Sequence, residues 1–200
     1  MENKILSLFS YNHKMKFNEI EKEIKIRSNQ LAYHLKNLIE KEIIEKDKEG
    51  YKLADNFEYL IPYLSDKNSI LPVILITIRN KKNIFLIERN KRPFKNKLSL
   101  PGGRILLGEN IHKATKRIMK EKFNINCKLE KTNSVSLEHV IKNKKTIHSF
   151  LLILVTAKTN DKIRFYDIAK NKSKIISSDY KLLKKDINQE IKIKNIFTRQ

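Results

Sequence analysis

The stretch LPGGRILLGENIHKATKRIMKEKFNI, residues 100–125, limits what this chain can fold into more than any other segment. It reads as a glycine turn at Gly102-Gly103, a loop closing on Gly108-Glu109, and then a helix whose inner turns carry Arg117, Ile118, Glu121 and Lys122. Positions 118, 121 and 122 are related by steps of three and four, so their side chains meet on one face of that helix. A single carboxylate, a lysine and an isoleucine therefore share one locus beside a glycine turn.

On either side of this cassette the pattern is that of strands. "ILPVILITIRN" and "IFLIERN" predict a hairpin of long apolar strands turning at Asn80 to Asn83. "CKLEKTNSVSLEHVI" and "TIHSFLLILVTAK" predict a second strand pair joined at Lys142 to Lys145, and "DKIRFYDI" adds a further strand. "SDYKLLKKDINQEI" closes as a helix with Leu182, Leu183 and Ile187 inward. Strands, one internal helix, more strands and a final helix make an α/β/α sandwich over residues 67–200.

Residues 1–66 follow a different rhythm. Ile5, Leu6 and Phe9 set a first helix, and Phe17, Ile20 and Ile24 a second. After a turn at Lys25 to Arg27, Ser28 is the expected N-cap of a third helix with Leu31, Leu35, Leu38 and Ile39 at helical spacing. "IIEKDKEGYKL" then alternates, turns through Asp47 to Gly50 and returns as a strand. Residues 55–66 predict a short connecting helix broken at Pro62, with the boundary at Asp66 to Ser69.

Three helices followed by a small hairpin is the order of an α+β winged helix, and "SNQLAYHLKNLIEKEIIEKDKEGYKL" resembles the recognition helix and wing of ArsR-like winged helix-turn-helix regulators. The resemblance implies that the third helix enters the major groove of DNA while the wing meets the backbone. Ser28, Asn29, Gln30, Tyr33 and His34 are then placed for base edges, Asn29 and Gln30 having the bidentate geometry that suits adenine. Arg27, Lys36, Lys46 and Lys48 are placed for phosphates. The competing reading is a protein-binding module with a solvated polar face, which the acidic Glu19, Glu21 and Glu23 of the second helix favour.

Residues 103–125 resemble the Nudix box, with Gly103, Glu109, Arg117, Met119, Glu121 and Ile125 in register and Pro101-Gly102 and Ala114 in the usual surroundings. The resemblance spans about residues 70–190 and implies the Nudix fold, a phosphorylated ligand at Gly102, Gly103, Arg104, Arg117 and Lys122, and Mg²⁺ or Mn²⁺ bridging a diphosphate if the site is hydrolytic. It implies Glu121 and Glu109 as catalytic carboxylates, Gly102 and Glu121 as metal ligands, and a structural ion pair between Glu109 and Arg117. Three glutamates hold the metal in the family, at positions matching 118, 121 and 122. Here Ile118 and Lys122 replace two of them, and Asn124 replaces a glycine. Lys122 is either a surface lysine at a helix end or an ammonium that substitutes for the metal and pairs with Glu121 or a ligand phosphate. Glu138 is a minor candidate for recruitment from a neighbouring strand.

Charge sharpens the division of the chain. Of the formal net charge of +21, residues 1–66 contribute 11 Lys and Arg against 12 Asp and Glu, whereas residues 67–200 carry 32 against 10. A net +22 on the second region suits an anionic ligand or auxiliary contact with DNA phosphates, and also reflects a Lys-, Asn- and Ile-rich composition. Arg79, Arg89, Arg92 and Lys95 are candidate phosphate contacts, while His112, His139 and His148 read as ordinary residues. Cys127 stands alone, which excludes an internal disulfide and a Cys-paired zinc or redox centre. No run reaches the roughly 18 to 20 apolar residues of a membrane span, and the N-terminus lacks the pattern of a signal peptide, so a cytoplasmic protein with no membrane partner is expected.

The expectation is a homodimeric, DNA-binding transcription regulator whose degenerate Nudix-like region binds a nucleotide or phosphorylated metabolite. The alternatives are a metal-dependent hydrolase of a nucleoside diphosphate derivative with an appended winged helix, and a non-enzymatic interaction protein.

Overall fold

A computed structural model of the chain describes residues 1–57, 69–90 and 94–198. It divides into two compact units, Met1–Ser69 and Ile70–Gln200. The expected connecting helix at Pro62 and the boundary near Asp66 lie outside the described residues, as does Arg92. No helix among the described residues is long and apolar enough to cross a membrane.

The first unit runs α1 (Glu2–Leu8), β1 (Lys14–Met15), α2 (Phe17–Ile24), α3 (Ser28–Glu40), β2 (Ile44–Lys46) and β3 (Tyr51–Leu53). Ile5, Phe9, Ile20, Leu31, Leu35, Leu38 and Ile44 form its core. β1, too short to leave a pattern in the sequence, pairs antiparallel with β3 to give the order β1-β3-β2. The tip of the β2–β3 hairpin is fixed by Asp47, whose carboxylate accepts the Glu49 and Gly50 amides at 2.8 and 3.0 Å. Gly50 is required there, since φ is +153° and a Cβ would stand 2.5 Å from the Met15 carbonyl. Helix α3 begins one residue earlier than the capping pattern implies: Arg27 is the N-cap, and Ser28 is already helical. The Ser28 hydroxyl is used instead as a donor to the Glu21 carboxylate on α2.

The second unit runs β4 (Leu71–Thr77), β5 (Arg79–Asn80), β6 (Asn83–Phe85), β7 (Ile87–Glu88), β8 (Leu98–Ser99), β9 (Gly102–Arg104), α4 (Ile111–Phe123), β10 (Lys128–Lys142), β11 (Lys145–Lys158), β12 (Phe165–Asp167) and α5 (Ser177–Lys185). The β10–β11 hairpin turns at Asn143 and Lys144, both with positive φ, as a two-residue connection between right-twisted strands demands. The long apolar hairpin expected at residues 70–89 does not form. Only β5 and β6 pair there, at Arg79↔Ile84 and Asn80↔Asn83, while β4 joins the main sheet, parallel to β11 and antiparallel to β9.

The reason is burial on both faces. Ile74 and Ile76 of β4 pack with Ala114, Ile118 and Met119 of α4, whereas Leu75 packs with Leu182 and Leu183 of α5. A strand covered on both sides reads as a continuous apolar run whatever its partner, so the sequence shows a strand without showing its neighbour. Helix α5 ends at Lys185, short of Ile187, whose carbonyl accepts the Asn133 side-chain amide at 2.6 Å.

Candidate functional site

The cassette is held by backbone proximity and by the ion pairs of Arg117 with Glu109 and Glu121. Gly102 and Gly103 lie on β9 against β4, where a Cβ at Gly102 would stand 2.6 Å from the Ile74 carbonyl. The loop that follows is folded around Glu109. Its carboxylate accepts the Leu106 amide at 2.9 Å and two guanidinium hydrogens of Arg117, one through Nη2 at 2.8 Å. Arg117 Nη2 also donates to the Arg104 carbonyl at 3.0 Å, and Nη1 lies 3.4 Å from Glu121. The adjacent guanidinium holds the Glu109 carboxyl below the usual carboxylate range. Asn110 caps the start of α4 by accepting the Lys113 amide at 2.8 Å, and Asn124 ends it in the left-handed conformation, φ +53°.

The other face of α4 departs from a metal site. Ile118 is fully buried among Ile74, Ile76 and Met119. Glu121 is largely exposed and directed toward Arg117. Lys122 reaches back so that its ammonium donates to the Gly102 carbonyl at 2.7 Å. That carbonyl is the one the Nudix resemblance assigns to a metal ion. A divalent cation on that carbonyl would stand beside a like charge, which disfavours its binding. Among the described residues no group of three or more His, Cys, Asp or Glu side chains converges to hold a metal. The donors present do not fit Mg²⁺ or Mn²⁺.

A cavity of about 550 Å³ opens beside the cassette, lined by Gly102, Gly103, Arg104 and Lys122 on one part of its wall. Val73, Leu75, Phe150 and Leu152 supply apolar surface, and Arg89, Glu138, Ser99 and Asp179 supply polar groups. Asp179, 4% exposed, accepts the Leu100 amide at 2.7 Å. Burial pushes its carboxyl up to about 7, opposed by that hydrogen bond and reinforced by the charge of Glu138. Ser99 is 1% exposed, and its hydroxyl has no hydrogen-bond partner among the described residues.

Sequence reasoning missed Asp179 and Ser99. The available signals were an acid in the first turn of the last helix, and a lone hydroxyl between Leu98 and Leu100. Of the other candidates, Arg89 and Glu138 reach the cavity, Arg79 lies 3.3 Å from the Asn188 side-chain oxygen, and Lys95 is exposed. Glu109 and Glu121 are not among the cavity-lining residues. His139 shares a hydrogen bond with Ser149 at 2.9 Å, and Cys127 is half-buried, with burial raising its thiol.

In the first unit, Arg27, Asn29, Gln30 and Tyr33 are exposed at the N-terminal half of α3, Tyr33 at 62%. His34 is half-buried with its ring 5.5 Å from that of Tyr33. Lys36 lies 3.7 Å from Glu40, and the Lys46 ammonium lies over the Tyr51 ring at 5.5 Å. Lys48 is exposed at the hairpin tip, where Lys14 bridges Asp47 and Glu49 at 2.7 Å each.

Residues 70–168 match the family model described as NUDIX domain. No curated protein matches the chain. Among solved structures, the chain is similar to a NUDIX hydrolase from Nitrosomonas europaea, with 14% identity, 58% of this chain and 87% of that one covered, and a TM-score of 0.50. It is also similar to the NUDIX domain of Shewanella oneidensis NrtR complexed with ADP ribose, at 14% identity over 64% of this chain and 94% of that one, with a TM-score of 0.48. A MutT NUDIX hydrolase from Burkholderia pseudomallei gives 15% identity over 58% and 98%, with a TM-score of 0.47. The glycine turn, the Glu109–Arg117 pair and the capped helix α4 lie within the matched segment, and residues 70–168 of this chain are a NUDIX domain.

Proposed function

We propose that this chain is a DNA-binding transcription regulator in which the NUDIX domain binds a nucleotide or phosphorylated metabolite instead of hydrolysing it. The observation that carries this reading is the Lys122 ammonium on the Gly102 carbonyl with Ile118 buried beneath it. The scaffold of the cassette is kept, while the place where a divalent ion would polarise a diphosphate is taken by a fixed monovalent charge. The first unit acts as an ArsR-like winged helix-turn-helix domain. Its three helices and β1-β3-β2 sheet, with Arg27, Asn29, Gln30 and Tyr33 exposed on α3, support that role. Two-fold operators pair two such helices, so the working form is a homodimer in the cytoplasm, and ligand in the second unit changes its affinity for DNA.

Two measurements test this. Selection from random duplexes with the full chain should yield a specific complex whose affinity falls with salt and is lost in Gln30→Ala and Tyr33→Ala. A diphosphatase assay with Mg²⁺ or Mn²⁺ should show no turnover that depends on Glu121. Activity in the wild type that disappears in Glu121→Gln would establish a hydrolase and overturn the regulator.

A further inference from the structure

Two carboxyls line the cavity beside the cassette. Asp179, buried in the first turn of α5, uses one oxygen to accept the Leu100 amide at 2.7 Å. Glu138 of β10 reaches the same space and forms no ion pair among the described residues. Of the two charges that act on Asp179, that of Glu138, which raises its carboxyl, outweighs that of Arg89, which lowers it. Two carboxylates in an apolar-walled space repel each other, so one keeps a proton unless a cation takes the proton's place. A separate feature points to an occupant. The Ser99 hydroxyl of β8 is buried, lines the cavity and has no partner among the described residues. A buried hydroxyl is ordinarily paired, and this one is free to accept an N–H. Val73, Leu75, Leu152 and the Phe150 ring supply apolar surface around these groups. A flat group rich in N–H donors and carrying positive charge meets all of these demands, with an aromatic face at hand for its charge.

We infer that Asp179, Glu138 and Ser99 form a subsite for a planar organic cation, an amidinium or a protonated amino-heterocycle, whose N–H groups meet the two carboxyls and the hydroxyl. The inference rests on the reading of the second unit as a binder of a phosphorylated ligand, and names the part of that ligand that is not phosphate. A phosphate is the wrong occupant for these residues, since it would add like charge to Glu138. Binding of the cation is coupled to a proton. Asp179 titrates at about 7, and a cation beside it favours the ionised form, so the proton is released to solvent as the ligand enters.

The test uses the full chain with benzamidine and benzamide, a planar cation and its neutral counterpart of nearly the same shape. Affinities are read by ligand-observed NMR near neutral pH, and proton release by calorimetry in two buffers of different ionisation enthalpy. Wild type should bind benzamidine at least about tenfold more tightly than benzamide, as charge-assisted contacts do, and should release protons on binding. Asp179→Asn and Glu138→Gln should each weaken benzamidine about tenfold and leave benzamide within about twofold, and Asp179→Asn should abolish the proton release. Matching thermal melts establish that the fold is kept. Glu138 is only half-buried, so Glu138→Gln decides the matter even where a substitution at Asp179 disturbs the fold. Equal affinity for the two probes, no binding of benzamidine, binding without proton release, or indifference to Glu138→Gln would each overturn the inference. A chain that binds DNA and pyrophosphate but ignores benzamidine would keep the regulator and lose this subsite, whereas benzamidine binding in a chain that takes neither would do the reverse.

Discussion

Helices α3 and α4 are each 13 residues long, and they use their polar side chains in opposite ways. On α3 the side away from Leu31, Leu35 and Leu38 faces solvent, with Ser28 at its start donating to Glu21, and the ion pair it carries among the described residues, Lys36 with Glu40 at 3.7 Å, is of the weak exposed kind. On α4, Arg117 is committed to Glu109 and the Arg104 carbonyl, Lys122 to the Gly102 carbonyl, Lys120 to Asn124, and Thr115 to the Ile111 carbonyl. Polar groups left in water are available to a partner that meets them from outside. Polar groups fixed to neighbouring side chains and carbonyls instead hold the cassette in place. The first helix leaves most of its polar side chains in water, and the second ties them to its surroundings.

The sharpest way to break this contrast is to put a carboxylate back beneath α4. Ile118→Glu alone should cost about 3 to 5 kcal/mol in the urea unfolding of the second unit, because a fully buried position gains a group with no partner. Combined with Lys122→Glu, it should create measurable Mn²⁺ affinity in calorimetry. Absence of binding would mean that the pocket has been reshaped beyond these two positions.

A smaller effect comes from Asp179, whose folded carboxyl titrates at about 7 against an ordinary value of 3.8. Between those values the folded chain keeps a proton that the unfolded chain has released. Its contribution to stability therefore falls as pH rises through that window, and the penalty is complete above the folded value. Asp179→Asn should flatten this slope and raise stability at pH 8 by about 1 to 3 kcal/mol, readable from unfolding curves across pH. Glu109→Gln should cost about 1 to 2 kcal/mol by weakening the Arg117 pair, an effect expected to shrink in high salt. Smallest of all, Gln30→Ala and Tyr33→Ala on the exposed side of α3 should change the stability of the first unit by less than about 0.5 kcal/mol. A larger loss would mean that α3 is as internally committed as α4.

Helical periodicity was the most legible feature of the sequence. Leu31, Leu35 and Leu38 mark α3, and the spacing from Gly103 to Ile125 marks the cassette, because a helix face is a local property of a dozen residues. Two-residue strands such as β1 leave no such trace. The pairing of β4 was hidden for another reason, since apolar residues on both faces of a strand say nothing about which strand lies beside it. Within the site, the Glu109–Arg117 pair and the oddity of Lys122 were visible as residue types at set positions. The destination of the Lys122 ammonium was not visible, nor was the burial of Asp179 and Ser99. Those depend on the approach of α5 and β8 from distant parts of the chain.

The parallel pairing of β4 with β11 has a consequence in time. Leu71 of β4 lies beside Phe150 of β11, 79 residues later in the chain. During synthesis at about 5 to 20 residues per second, LPVILIT leaves the ribosome roughly 4 to 16 seconds before its central partner exists. The first unit, whose contacts are short in sequence, can fold in that interval, whereas the second waits with its most apolar strand uncovered. A ribosome pausing between residues 77 and 150 would lengthen that exposure, and aggregation of nascent chains should rise with the pause.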